Sequence, residues 1–165
     1  MITPRIEKLL NEQYHMEVFS AHLYLAMCSH FMDQDLDGFA HFFRLQADEE
    51  QAHARKQFDY IHEVDGKLTI GQIDAPQTTF GTMREAFELA LEHEQKVTKS
   101  INSIVKATFE EDDFATQNFL QWFIQEQVEE EASMRSIIAK VKLAEGNNSA
   151  IYLLNEELQN RVAEA

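Results

Sequence analysis

Single carboxylates interrupt four apolar stripes of the chain, and each stripe has the three-then-four spacing of one helix face. The clearest stripe consists of Phe87, Ala90, Glu94, Val97, Ile101 and Ile104. Glu17, Glu50 and Glu130 take the equivalent place in the other three stripes. An isolated buried carboxylate is too costly to keep charged, so four that converge in one core require cations. We therefore predict a four-helix bundle built around a metal cluster.

Two of these carboxylates have a second candidate ligand three residues away. His53 follows Glu50, and Gln127 precedes Glu130. Side chains at i and i+3 share one helix face, so they can reach the same ion or neighbouring ions. Four carboxylates balance two divalent cations, and Glu50 is the ligand expected to bridge them at the ~3.5–4 Å usual in two-metal sites. Oxygen-rich ligation with one imidazole and no thiolate favours iron or manganese, and zinc would also bind.

Other polar residues flank this predicted centre. Tyr24 lies two turns after Glu17 on the same face. Its phenol either packs in the core or acts on the cluster, by donating a hydrogen bond to a ligand or by supplying an electron. Glu49, Glu126 and Glu129 form either a solvated acidic face or part of a third cation site. We predict that the remaining histidines are surface residues, because none has a second candidate ligand at a suitable spacing on a core stripe. They include His15, His22, His41 and His93.

Composition limits the class of protein. The 165 residues, with five Gly and two Pro, fit one domain of long helices over residues 1–165. The formal net charge of −15 argues against a broad basic surface for nucleic acid or an anionic membrane. No apolar run approaches the ~20 residues of a membrane span, and the polar start does not resemble a signal peptide. A cytoplasmic protein is therefore expected. The single cysteine, Cys28, is expected to be a small buried hydrophobe.

Capping signals divide the chain into four long helices and a short fifth one. Thr3 precedes Pro4, Thr82 begins a capping box with Glu85, and Asp113 can cap the fourth helix. The predicted helices span about 4–32, 38–64, 83–111, 114–144 and 149–161. The first four make the bundle, about 4–144, and the apolar face of the fifth is expected to pack around a symmetry axis of an assembly.

The long connection at 66–81 determines the predicted topology. A helix of ~27 residues is ~40 Å long, and sixteen extended residues can reach ~50 Å. The connection can therefore cross the whole bundle, so that the second and third helices run parallel. One long crossover is the ferritin-like variant of the four-helix bundle.

The chain resembles the bacterial non-haem ferritins over nearly its whole length. The matching residues are Glu17, Tyr24, Glu50-x-x-His53, Glu94, Gln127-x-x-Glu130 and the segment Asn118–Phe123. The resemblance implies an all-α subunit of a hollow 24-subunit shell that oxidises Fe(II) with O2 or H2O2 and stores ferric oxyhydroxide mineral. It implies a ferroxidase centre formed by Glu17, Glu50, His53, Glu94, Gln127 and Glu130. It also implies a third iron site at Glu49, Glu126, Glu129 and Glu130.

Some positions depart from related families. Bacterioferritins carry Glu-x-x-His on the fourth helix, where this chain has Gln127-x-x-Glu130. They place a haem-ligating Met after the second-helix Glu, where this chain has Gln51, so no haem is expected. The three-fold pore of animal ferritins is lined by acidic residues, where this chain has Gln117 and Leu120. The sequence therefore does not predict the route by which iron enters.

Two other functions are compatible with the same ligands. A divalent-cation buffer or metal-stabilised scaffold would bind metal without consuming oxygen. A small di-iron oxygenase would need an apolar substrate pocket beside the metals. Large apolar residues fill the stripes around the ligands and leave little room for such a pocket, namely Phe43, Ile101, Phe123 and Met134.

Overall fold

The computed structural model describes residues 2–162, which form five helices and no strand. The helices are α1 (Pro4–Met32), α2 (Asp37–Glu63), α3 (Met83–Glu110), α4 (Phe114–Ala144) and α5 (Asn148–Gln159). The predicted all-α class is confirmed, and every predicted boundary lies within one helical turn of the observed one. Among the described residues, no helix has both the length and the apolar character needed to cross a membrane.

The predicted caps are present at three helix starts. The side chain of Thr3 accepts the backbone N–H of Ile6 at 3.3 Å, which begins α1. Thr82 and Glu85 form the reciprocal capping box of α3. Asp113 accepts the backbone N–H of Thr116 at 3.0 Å and begins α4. These bonds satisfy amide groups that have no partner inside their own helix.

The start of α2 is capped instead from the far end of the chain. Its own N-cap residue, Leu36, makes no side-chain cap. Asn155 of α5 accepts the backbone N–H groups of Gly38 at 2.9 Å and Phe39 at 3.4 Å. A Cβ on residue 38 would lie 1.8 Å from the backbone oxygen of Asn155, so the close approach of α5 requires glycine there.

The apolar face of α5 packs within its own subunit. Leu154 and Leu158 are buried in the same core cluster as Phe39 and Phe42 of α2. The expectation that this face would be used around a symmetry axis is therefore wrong for these two leucines. What α5 leaves exposed is its opposite side, including Tyr152.

The crossover segment is extended and tied to the outer side of α1. Glu7, Asn11 and His15, one turn apart, accept backbone N–H groups of alternate residues in the 67–71 segment at 2.7, 2.8 and 3.0 Å. The other ring nitrogen of His15 lies 2.7 Å from the backbone oxygen of Asn11. His15 is therefore half-buried and has a structural role, whereas the sequence predicted a surface residue.

The core consists of two apolar clusters separated along the bundle. One contains Phe31, Phe43 and Phe87, and the other contains Ile101 and Phe123. On α1 the residues of one cluster precede Glu17 and those of the other follow it. The predicted ligands lie between the clusters, so long helices hold them midway between two well-packed ends.

Candidate metal centre

All six predicted ligands of the centre are buried, with at most 7% of each side chain exposed. One comes from α1, two from α2, one from α3 and two from α4: Glu17, Glu50, His53, Glu94, Gln127 and Glu130. Among the described residues, Glu17, Glu50 and His53 each offer a ligand atom within 4.8 Å of the others. This group of two carboxylates and one imidazole could therefore hold a metal ion.

Burial raises the pKa of every carboxyl group in the cluster. It raises the pKa of Glu17 to about 7 and the pKa of Glu50 well above its usual range. The contact between these two carboxyl groups lowers the pKa of Glu17 and raises that of Glu50. The pKa values of Glu94 and Glu130 are also raised, mainly by burial. Without cations the cluster therefore keeps protons that a bound metal would displace.

The imidazole of His53 is neutral at pH 7. Burial, and then the charge of Lys56, lower its pKa to about 4. Its Nδ1 lies 3.4 Å from Oε2 of Glu50, and Trp122 contacts the ring edge-on with the centroids 5.3 Å apart. A neutral imidazole has a free lone pair on one nitrogen, as metal ligation requires.

The carboxylates differ in how many of their oxygens are already hydrogen-bonded. Tyr24 donates its phenolic hydrogen to one oxygen of Glu94, and Gln127 donates to the other at 2.9 Å. Within residues 2–162, no amide or hydroxyl group donates a hydrogen bond to either oxygen of Glu50. Glu50 therefore has both oxygens available to cations, as a bridging ligand requires.

Three buried glutamines that were not predicted from the sequence surround the predicted ligands. Gln13 and Gln57 donate to Oε1 of Glu17 at 2.8 and 3.1 Å, and Gln46 donates to Oε2 of Glu130 at 2.8 Å. Each is at most 1% exposed. Gln13 and Gln46 each lie one helical turn from a predicted ligand in the sequence. A polar residue at that spacing on a core stripe is the sequence signal that could have identified them.

A cavity of about 190 Å³ adjoins the cluster between α2 and α4. It is lined by all four residues of the predicted third site, namely Glu49, Glu126, Glu129 and Glu130. His53 also lines it, with Nε2 4.0 Å from Oε2 of Glu126. Arg161, beyond the end of α5, reaches this cavity as well and donates to the hydroxyl of Ser133 at 2.9 Å. The sequence carried no signal that a residue so far along the chain would lie here.

The prediction that His93 is a surface residue is wrong. Its Nε2 lies 2.7 Å from the hydroxyl of Ser20, and its ring contacts Phe19 and Tyr24. The pKa of His93 is lowered to about 4, mainly by burial. His93 therefore packs behind Tyr24 on the α1–α3 side of the bundle.

Comparison with known proteins agrees with this geometry. A family model described as a ferritin-like domain matches residues 7–144. The chain belongs to the ferritin-like family. All the predicted ligands lie in the matched range, and α5 lies outside it.

The relatives within this family confirm the resemblance to bacterial non-haem ferritins. The bacterial non-heme ferritin of Campylobacter jejuni is 39% identical over 160 residues, which are 97% of this chain and 96% of that protein. The bacterial non-heme ferritin of Bacteroides fragilis is 38% identical over 161 residues, 98% of this chain and 100% of that protein.

Solved structures of the family superpose closely on the chain. An open pore ferritin from the archaeon Archaeoglobus fulgidus matches with a TM-score of 0.97 at 40% identity, covering 98% of this chain and 100% of that one. A humanized archaeal ferritin matches with a TM-score of 0.98 at 40% identity, covering both chains completely. The ferritin-like arrangement of the helices is therefore confirmed.

Proposed function

We propose that this ferritin-family chain is an iron storage protein with ferroxidase activity. In this proposal Fe(II) is oxidised by O2 or H2O2 at a dinuclear site inside each subunit. The observation that carries it is the convergence of four buried carboxyl groups with raised pKa values around one neutral imidazole. Such a cluster is unfavourable without cations and is neutralised by two divalent ions.

The ligands divide into two overlapping sets. Glu17, Glu50 and His53 would hold the first Fe(II), since their ligand atoms already lie within 4.8 Å of one another. Glu50 would bridge to a second Fe(II) held by Glu94 and Glu130. Gln127 offers its neutral carbonyl oxygen, so the second ion would keep positions open for water or oxidant.

The oxidation step balances within this arrangement. Two Fe(II) ions lose one electron each, and O2 takes both electrons with two protons to become H2O2. When H2O2 is the oxidant, it takes two electrons and two protons and becomes two water molecules. The protons that these reactions consume would come from solvent, because Glu17 loses its own proton when it binds Fe(II).

Tyr24 is proposed to act directly on this centre. Its hydroxyl donates to Glu94, its ring is fully buried, and its pKa is raised well above 10, mainly by burial. The phenol therefore stays protonated at physiological pH. It would hold Glu94 in place, and as an electron-rich ring beside the metals it could supply an electron.

The acidic cavity beside the centre is proposed as the third iron site. Glu49, Glu126 and Glu129 share it with Glu130, which also belongs to the dinuclear set. An ion leaving the pair through this opening would remain among carboxylates. Beyond it, we propose, the ferric product is stored as mineral in the cavity of a homo-oligomeric, 24-subunit shell in the cytoplasm.

The decisive experiment is a stopped-flow addition of about two Fe(II) per subunit to the aerobic metal-free protein, with ferric absorbance and oxygen uptake recorded together. Rapid oxidation that saturates near this ratio supports the dinuclear centre. Further additions then test storage, by whether the iron stays soluble with the protein. Oxidation no faster than in buffer would contradict the proposal and favour a cation buffer.

A further inference from the structure

One oxygen of Glu17 is occupied by two amide groups from two helices. Gln13, one turn before it on α1, donates to Oε1 at 2.8 Å, and Gln57 of α2 donates to the same atom at 3.1 Å. Both glutamines are 0% exposed. The other oxygen, Oε2, is buried without a hydrogen-bond partner among the described residues. The two oxygens of this ligand are therefore not equivalent.

The two glutamines make this contact at a cost. The side-chain carbonyl oxygens of Gln13 and Gln57 are buried and accept no hydrogen bond within the described part of the chain. A buried acceptor without a donor loses its hydration and gains nothing in return. Leucine would fill each place without that loss, so the amide donors are not explained by packing.

We propose that Gln13 and Gln57 are positioning residues that restrict Glu17 to one coordinating oxygen, Oε2. This inference rests on the proposed function, because it assigns a purpose to the ligand geometry of that site. With Oε1 held by two donors, Glu17 contributes one atom to the first ion rather than chelating it with both. A coordination position on that ion then stays open for water or oxidant.

Amide donors suit this task better than charged ones. Lysine or arginine would also occupy Oε1, but either would neutralise Glu17 and repel the incoming cation. The glutamine amide occupies the oxygen without adding charge. A purely structural role, in which Gln57 only joins α2 to α1, makes no prediction about how many oxygens Glu17 offers.

A titration with Co(II) in the absence of oxygen distinguishes the positioning role from a purely structural role. Co(II) does not react with the oxidant, and its visible absorption depends on its coordination number. Four- or five-coordinate Co(II) absorbs more strongly than six-coordinate Co(II). One equivalent per subunit would be added to the wild type and to Gln57→Leu at pH 8. Gln57→Met is the second variant, in case leucine impairs folding, and circular dichroism checks helix content.

The matched control is Gln46→Leu. Gln46 lies on the same helix and donates to Glu130 at 2.8 Å, outside the Glu17, Glu50 and His53 group. We expect Gln57→Leu to lose visible Co(II) absorbance as Glu17 begins to chelate, and the double variant with Gln13→Leu to lose more. Gln46→Leu should keep the wild-type spectrum.

Different outcomes contradict the positioning role of the glutamines and the proposed metal centre. A wild-type spectrum in both Gln57 variants and in the double variant overturns the positioning role and leaves the metal centre intact. An equal loss in Gln46→Leu also overturns it, because the effect would then be a general one of losing a buried amide. Failure of the wild type to bind Co(II) overturns the proposed metal centre as well.

Discussion

Tyr24 on α1 and Glu94 on α3 are joined by a hydrogen bond across the bundle. Gln127 occupies the second oxygen of the same carboxylate at 2.9 Å. Both oxygens of Glu94 are thus occupied, whereas Glu17 and Glu50 each have at least one oxygen without a donor among the described residues. A cation that binds Glu94 must compete with these hydrogen bonds, so the two halves of the centre should fill in order.

Tyr24→Phe should strengthen binding of the second ion and leave the first unchanged. The substitution removes a donor that competes for Glu94, and hydrogen bonds to charged groups contribute about 1.5–3 kcal/mol. We expect affinity for the second ion to rise about tenfold or more. Calorimetric titration with Zn(II), which undergoes no redox reaction, resolves the two steps.

Tyr14→Phe is the matched control for this experiment, since Tyr14 is half-buried on the same helix and its ring contacts His15 and Phe58. It should leave both binding steps as in the wild type. A Tyr24→Phe isotherm identical to that of the wild type would mean that the hydrogen bond does not limit filling of the second half.

Glu94→Gln should abolish rapid Fe(II) oxidation while making the metal-free protein more stable. Burial raises the pKa of Glu94, so a neutral side chain of the same size removes the cost of burying its charge. Glu92→Gln is the control, because Glu92 is exposed on the same helix and forms an ion pair with Lys96 at 2.9 Å. Stopped-flow oxidation and urea unfolding measure the two effects. Oxidation at the wild-type initial rate would exclude Glu94 from the centre.

The metal-free protein should lose stability as the pH rises from about 4.5 to about 7. The folded-state pKa of Glu17 is about 7, compared with 4.5 for the free group. Between these values the folded chain binds more protons than the unfolded chain, so the free energy of unfolding falls as pH rises. For this one group the loss amounts to about 3 kcal/mol above pH 7.

His53 acts in the opposite direction. Its folded-state pKa of about 4 lies below the usual 6.5, so its cost appears as the pH falls below 6.5. Comparing the wild type with Glu17→Gln cancels this contribution, because both proteins contain His53. Urea unfolding in the presence of a chelator should show a stability advantage of Glu17→Gln that grows from pH 5 to pH 8. An advantage independent of pH would contradict the raised pKa of Glu17.

Glu129→Gln should remove one cation site without affecting the first two. Glu129 lines the acidic cavity but does not belong to the dinuclear set, and its side chain is exposed. Zn(II) stoichiometry is expected to fall from about three to about two per subunit, with Fe(II) oxidation of the first additions unchanged. The exposed Glu156→Gln serves as control. Unaltered stoichiometry would mean that this cavity holds no ion through Glu129.

Asn155→Ala should destabilise the start of α2, although the two are more than a hundred residues apart. Its side chain caps Gly38 and Phe39, and loss of an N-cap costs about 1 kcal/mol. Gly38→Ala should be worse, since the added methyl meets the backbone of Asn155. Thermal unfolding checks both, against Asn160→Ala, whose side chain donates to the backbone oxygen of Glu156 in the last turn of α5. Equal effects of Asn155→Ala and Asn160→Ala would rule out the capping role.

Local signals were sufficient to predict the helices and the burial of Glu17, Glu50, Glu94 and Glu130 between them. Helical periodicity follows from 3.6 residues per turn, so one polar residue within an apolar stripe can be recognised without a structure. The caps at Thr3, Thr82 and Asp113 are equally local, since each side chain bonds an amide three residues on. For that reason Glu17 and Glu94 could be identified from spacing alone.

Contacts between distant segments required the folded chain. The Asn155 cap, the burial of His93 against Ser20, and the place of Arg161 at the acidic cavity join segments separated by long stretches of sequence. No periodicity encodes which helix faces which, or which oxygen of a carboxylate a neighbouring amide will occupy. Sequence spacing therefore predicted which side chains enter the core, and packing of the helices determined the hydrogen bonds that Glu17 and Glu94 make there.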